Sequence, residues 1–297
     1  MNQHKIQDDI IALANKKTLD ESDRTLGRGL VNQLLDDLEA GTLRVVNIYD
    51  DSVTVNAWVK QGIILGFRLS ETVSFNETSQ FRDKDLFPLQ TIKADSTIRV
   101  VPPAAGIRRG SFVDSGCILM PPAYVNVGVH IGKNTMLESL AGSCAQIGAN
   151  CHISYGSVIG GVLDPIEATP VILGDYVLLG ENAGVTQGTR LGKLVTVAPG
   201  THISKATPVI DPINKVAYTS RGTAELEEES TAGITFFSVG KIIKEKDSSY
   251  GPEIPDGALI IPGVARSSHG TLKTAPTIAK YINSEADRAY ALEEALR

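Results

Sequence analysis

The chain has 297 residues, 42% of them hydrophobic, with 28 Lys and Arg against 34 Asp and Glu for a formal charge of −6. That is enough apolar material for a sizeable core in one or two domains, and an acid excess with no Lys/Arg-rich block excludes a non-specific nucleic-acid binder. No window approaches the roughly 20 apolar residues of a membrane span, and MNQHKIQDDIIALANKK intersperses charge so that it reads as neither secretory signal nor anchor.

Three cysteines, Cys117, Cys144 and Cys151, form no CxxC pair, which fits free thiols in a reducing cytoplasm. Only 5% of residues are aromatic while 28 are glycine, a composition of tight turns packed by thin aliphatic layers.

In chain order, ESDRTLGRGLVNQLLDDLEAG places Leu26, Leu30, Leu34 and Leu38, with Val31 and Leu35, on one helical face. Ser22 is the expected N-cap, and Gly41 stands where a C-terminal glycine belongs. TLRVVNIYDDSVTVNAWV predicts a hairpin turning at Asp50 and Asp51. Periodicity leaves GIILGFRL open between strand and helix.

From residue 107 the chain falls into sixes. Ile107, Val113, Leu119, Val125, Ile131 and Leu137 form one register; Ile147, Ile153 and Ile159 a second; Leu173, Leu179, Val185, Leu191, Val197 and Ile203 a third. Four residues after each stands mostly a small or β-branched side chain such as Cys117, Ala141, Cys151 or Thr189, with Leu163 the exception. Hexapeptide periods mark a parallel β-helix: three flat sheets around an axis, with inward aliphatics stacked about 4.8 Å apart. Ten residues separate Leu137 from Ile147 and fourteen separate Ile159 from Leu173. Both breaks predict loops leaving the prism, where chemistry gathers.

Beyond Ile203 the acidic run GTAELEEES predicts a solvated loop or helix face, GALIIPGVA one further β-helix strand, and Ala275–Arg297 a terminal helix covering an open edge. The expected organisation is a mainly β chain. An N-terminal α/β domain spans 1–100, a left-handed parallel β-helix 101–210, and a C-terminal extension 211–297.

The candidate chemistry sits beside the breaks. Glu138, as a carboxylate after Leu137, could serve as a general base, and a glycine amide at Gly160 or Gly161 could donate to an oxyanion, because glycine lets a substrate approach the backbone. His130, His152 and His202 are a rival zinc set. However, 72 residues separate His130 from His202, which is about four coils or roughly 19 Å along the axis. No shared ion is expected within one chain, and no metal site is assigned.

RVVPPAAGIRRGSFV at 99–113, LMPPAYVNVG at 119–128, GSCAQIG at 142–148 and IGGVLDP at 159–165 resemble the tetrahydrodipicolinate N-succinyltransferase family of hexapeptide acyltransferases. NQLLDDLEAGTLRV and AWVKQGIILGFRL extend the resemblance through the N-terminal region, to about residues 20–210. The resemblance implies transfer of succinyl from succinyl-CoA to the amine of L-2-amino-6-oxopimelate, in a cytoplasmic homotrimer with sites between adjacent prisms. Small-molecule substrates are implied, with no resident cofactor, nucleic acid or membrane partner. It implies Glu138 as the base and Gly161 as the oxyanion donor. Ser143 is expected at the substrate, and Gly160, Lys205 and Arg221 at CoA, with Lys241, Lys244 and Arg266 as further basic candidates. Two departures stand out: the 137–147 segment is two residues shorter than in the family, and the family's acceptor-contacting glutamate falls on Gly184, leaving Glu181 and Gln187 as stand-ins. Residues 222–255 read as an insertion beside the CoA channel.

Overall fold

The computed structural model describes residues 3–49, 52–75, 81–231, 234–246, 250–267 and 269–287. The hexads wind into the expected left-handed parallel β-helix. Three sheets form its sides, each named here by one inward residue. The 113 face stacks Phe112–Val113, His130–Ile131, Gln146–Ile147, Ile172–Leu173, Arg190–Leu191 and Glu253–Ile254. The 119 face runs through Ile118–Leu119, Met136–Leu137, His152–Ile153, Leu178–Leu179 and Thr196–Val197. The 125 face runs through Ala123–Val125, Leu140–Ala141, Val158–Ile159, Gly184–Val185 and His202–Ile203.

The inward residues form one continuous aliphatic core, with Val113 partly buried at its margin. Stacking identical shapes at strand spacing excludes large rings, which is why the period is written in Ile, Leu and Val. Cys117 and Cys151 are buried in this core, and Cys144 beneath the N-terminal domain; all three thiols are free. Burial pushes Cys144 up to about 12, so it is an inert thiol.

The two register breaks differ. The first sends out no loop. Leu140–Ala141 remains a strand paired with Tyr124–Val125 and Val158–Ile159, so this side of the coil simply turns in fewer residues. Ala141 thus takes the inward place that a larger aliphatic holds elsewhere. At the second break the chain does leave, over residues 162–170, and Leu163 breaks the small-residue rule because it packs against the N-terminal core instead.

Three helices build that N-terminal core: α1 (Gln3–Ala14), α2 (Glu21–Glu39) and α3 (Ala57–Leu69). Helix α1 was not legible by its charges, yet Ile6, Ile10 and Leu13 recur at helical spacing and are buried. The N-cap of α2 is Asp20 rather than Ser22: its carboxylate accepts from Asp23 N at 2.8 Å, and a carboxylate suits the positive end of the helix. Leu26 is 52% exposed while the other expected apolar positions of α2 are buried. Gly41 follows the helix at φ +71°, as a C-terminal glycine should. GIILGFRL is helical, within α3. Val46–Tyr49 and Ser52–Val55 pair antiparallel as expected, with the turn at Asp50 and Asp51 outside the described residues.

This domain packs on the 113 face, where Val127, Cys144 and Ile172 join its core. The arginines of the GIRRGSFV motif tie the two units together. Arg108 pairs with Asp83 at 2.6 Å, and Arg109 reaches Asn32 at 2.8 Å and Asp36 at 2.9 Å.

Past Ile203 three expectations meet different outcomes. The acidic run is a strand, Gly222–Thr231, paired with Ile234–Glu245 in a long hairpin; its glutamates alternate with Ala224 and Leu226, so the period is two and not a helix face. Ala258–Ile261 is a further β-helix strand, stacked on Thr196–Val197. The terminal helix is not present from Ala275: Thr277–Tyr281 is a strand, antiparallel to Ala258–Ile261 on one side and parallel to Val209–Asp211 on the other, with Ile278 in the prism core and Ile282 packed with Leu259 in a separate small cluster. Only 285–287 are helical, and residues beyond 287 lie outside the described ones.

Candidate active site

The candidate residues separate onto two edges of the 125 face. Glu138 lies on the edge shared with the 119 face, its N–H donating to Ile153 O at 2.9 Å. Among the described residues its half-buried carboxylate makes no hydrogen bond or ion pair, so both oxygens are available. Glu181 stands exposed on the same edge two coils further along, roughly 10 Å away.

The opposite edge, shared with the 113 face, carries a column one coil apart at each step: Ser143, Gly161, Gln187 and Lys205. The backbone ladder fixes the register, with Gly142 N bonded to Ile159 O, Gly160 N to Val185 O and Thr186 N to Ile203 O, each at 2.8–2.9 Å. Lys205 thus lies about 10 Å along the axis from Gly161. It is exposed, with no ion pair among the described residues.

Gly161 sits where backbone meets backbone. A Cβ on Gly142 would lie 2.2 Å from Gly161 N, and a Cβ on Gly161 would lie 2.6 Å from Ser143 N. Glycine at 142, 160 and 161 therefore leaves a strip of bare main chain. Gly160 N–H is occupied by the ladder, but the exposed Gly161 N–H donates to nothing among the described residues. Other corner amides are also unpaired; here the residue packed against it is another glycine, Gly142. Gly142 is the residue sequence reasoning missed, although its place in GSCAQIG carried the signal.

The loop that follows Gly161 is held from the N-terminal side. Lys60 is fully buried on α3, and its Nζ donates to Ala168 O at 2.5 Å and Pro165 O at 3.4 Å. Burial lowers its proton affinity, and no carboxylate pairs with it among the described residues. Val162 N bonds to Ser143 O at 3.1 Å, so the loop enters directly against the column.

Arg221 is not brought to this column. It is exposed at the turn between Val216–Thr219 and the long hairpin, beside a cavity of about 210 Å³ lined by Tyr218, Lys244, Lys246 and Glu253 near the opposite margin of the 113 face. Lys244 belongs to that cavity and Lys241 is exposed on the hairpin, while Arg266 is engaged with Glu229 at 2.9 Å and lies over Phe236. The three histidines lie on three different faces, His130 on 113, His152 on 119 and His202 on 125, so one chain cannot bring them to one ion.

Within one chain Glu138 and Gly161 do not meet. Between their edges runs the strand Leu140–Ala141, and the four residues from 138 to 142 span up to about 13 Å. The two groups therefore stand on opposite edges of one face. The outward Leu140 and Val158, 42% and 38% exposed, give this face an apolar strip suited to a neighbouring prism.

Residues 5–69 match the N-terminal domain model of tetrahydrodipicolinate N-succinyltransferase. A 2,3,4,5-tetrahydropyridine-2,6-dicarboxylate N-succinyltransferase of Polynucleobacter asymbioticus is 34% identical over 280 residues, 91% of this chain and 90% of that protein. The like-named protein of Acinetobacter baylyi is 31% identical over 278 residues, 91% and 89% of the two chains. A crystal structure of a 2,3,4,5-tetrahydropyridine-2-carboxylate N-succinyltransferase from Campylobacter jejuni superimposes with a TM-score of 0.52 at 17% identity, over 90% of this chain and 63% of that one, and so shares the fold. With identity sustained along nearly the whole chain, from the N-terminal helices through the glycine strip, this protein belongs to the tetrahydrodipicolinate N-succinyltransferase family.

Proposed function

We propose that the chain transfers a succinyl group from succinyl-CoA to the amine of L-2-amino-6-oxopimelate, the opened form of tetrahydrodipicolinate, in lysine and diaminopimelate biosynthesis. The observation that carries this reading is the bare Gly142–Gly160–Gly161 strip with its free amide, found in a chain whose relatives of that name match it nearly end to end.

The amine nitrogen attacks the thioester carbonyl. Its oxygen becomes the tetrahedral oxyanion and accepts from Gly161 N–H. Glu138 takes the proton released from the amine, the C–N bond is complete, and the C–S bond breaks. The thiolate of CoA leaves and takes up the proton from Glu138, so neither an acyl-enzyme nor a resident cofactor is needed. Lys205, two coils along the same column, supplies positive charge for the CoA arm. Ser143 and Gln187 flank Gly161 for the acceptor, with Glu181 at the Glu138 edge. Glu138 of one prism and Gly161 of its neighbour then form each site, which fits a cytoplasmic homotrimer.

The acceptor side of the site departs from the family pattern at one position. At Gly184 the imidazole of His202 leans over the backbone, and a Cβ there would lie 2.2 Å from His202 Nδ1, so this chain places a histidine where the family resemblance implies a glutamate.

Release of CoA from succinyl-CoA and from acetyl-CoA, each with tetrahydrodipicolinate, with L-2-aminopimelate and with neither, separates the readings. Succinyl-specific release that depends on tetrahydrodipicolinate is expected. Release with succinyl-CoA and L-2-aminopimelate but none with tetrahydrodipicolinate would reassign the acceptor, and release with acetyl-CoA alone would reassign the donor.

A further inference from the structure

A second polar recess lies on the 113 face, apart from the Gly161 column. It is a cavity of about 360 Å³ between α1, the segment after α2, the strand Val46–Tyr49 and the start of α3. Arg44, Asn47 and Asn56 form its polar wall, with Trp58 and Tyr49 as its aromatic one.

Arg44 is held in place from two sides. Its Nε donates to Gln146 Oε1 at 3.1 Å. Gln146 is only 1% exposed, and its Nε2 faces the carbonyls of Gly128, Cys144 and Ala145 at 3.0–3.2 Å, which leaves the amide oxygen for Arg44. Asn56 Nδ2 donates to Arg44 O at 2.7 Å and fixes its backbone. The guanidinium is therefore oriented before anything binds to it.

What it lacks is a counter-ion. Among the described residues no carboxylate lies within 4.0 Å of Arg44, in a chain with 34 acidic residues against 28 Lys and Arg. Arg28, Arg108, Arg109, Arg190 and Arg266 all have one. A partly desolvated cation left unpaired is unfavourable, so a site built this way gains from an anion. The nearby His130 adds no second charge: burial first, and then the charge of Arg44, hold it at about 4. One fixed guanidinium in a recess with amide side chains, an aromatic wall and the exposed His4 on its lining suits a planar carboxylate group.

We propose that this recess binds one carboxylate group of a small organic acid, which lies side by side with the two terminal nitrogens of Arg44. The cavity volume falls in the range of small-ligand pockets. The inference stands apart from the acyl-transfer reading, because neither Glu138 nor Gly161 lines the recess.

Trp58 is the chain's single tryptophan and borders the cavity, so its fluorescence reports this site alone. Full-length protein is titrated with sodium succinate, and in parallel with inorganic phosphate, at ionic strength held constant with sodium chloride. The expected result is a saturable change in Trp58 emission with succinate that is at least tenfold weaker in Arg44→Met. Asn47→Asp places an internal carboxylate in the recess and is expected to suppress the change without lowering the thermal midpoint. Glu138→Gln is expected to leave the titration as in the parent. No saturable change with succinate overturns the proposal, as does an unaltered dissociation constant in either Arg44→Met or Asn47→Asp. Tighter binding of phosphate than of succinate overturns the assignment of a planar carboxylate.

Discussion

Replacing Gly142 by alanine adds one methyl group where two coils touch. The new Cβ would lie 2.2 Å from Gly161 N, 2.6 Å from its Cα and 2.8 Å from Gly160 C, all backbone atoms, whereas ordinary contact begins at 3.4 Å. The coils must then part by roughly 1 Å against a spacing of about 4.8 Å. Overpacking of this kind costs ~1–3 kcal/mol of stability, and moving an oxyanion donor by about 1 Å lowers turnover by ~10²-fold. The control is Gly29→Ala in α2, where nothing lies within 4 Å of the added carbon; stability there is expected to rise by ~0.5–1 kcal/mol with activity unchanged. The assay is kcat/KM for succinyl-CoA-dependent CoA release, alongside urea unfolding of both variants. A Gly142→Ala enzyme within threefold of the parent, at parental stability, would refute the claim that this contact sets the Gly161 amide.

Three further outcomes are expected. Glu138→Gln should lower kcat on the order of 10²-fold with little change in KM for succinyl-CoA, and a rate within a few-fold of the parent removes it as the base. Lys205→Ala should raise KM for succinyl-CoA several-fold, an effect that shrinks as salt is added because the contact is exposed; a change in kcat alone would place Lys205 elsewhere. His130 is held at about 4 against an ordinary 6.5, so the unfolded chain binds the extra proton first. Its contribution to stability is therefore full above pH 6.5 and is lost as pH falls toward 4, at no more than about 1.4 kcal/mol per pH unit. Urea unfolding at pH 7, 6 and 5 should show this slope in the parent and a flatter one in His130→Leu; equal slopes would show that the shift does not govern acid stability.

The prism was legible because its core repeats one demand, an inward aliphatic residue every six positions, and Ile107 to Ile203 answer it with little interruption. The shortened side at 138–141 was not, since a period cannot tell a missing loop from a faster corner; only the pairing of Ala141 with Val125 and Ile159 decides. Glu138 and Gly161 could be named from their motifs, but their placement on opposite edges follows from coil registration and not from any local pattern. Gly142 and Gly161 are 19 residues apart, and their contact exists because the chain turns once around the axis between them. Lys60 and Arg44 stayed invisible for the same reason: each is a lone cation in an apolar stretch, and its role is set by carbonyls and amides more than 80 residues away. In the RVVPPAAGIRRGSFV motif, Arg108 and Arg109 prove to join the two units, so a motif that identifies the family need not mark its chemistry.

The central claim is that one face of the prism supplies Glu138 at one edge and Gly161 at the other, so that each site draws on two chains. Subunit complementation tests it most directly. Glu138→Gln and Gly161→Ala are each expected to lose most activity; co-assembled in equal amounts, they should regain up to about one quarter of the parental activity, the fraction of sites in a closed ring that pair two intact edges. Mixed assemblies no more active than either variant alone would contradict the account and place both groups in a single chain's site.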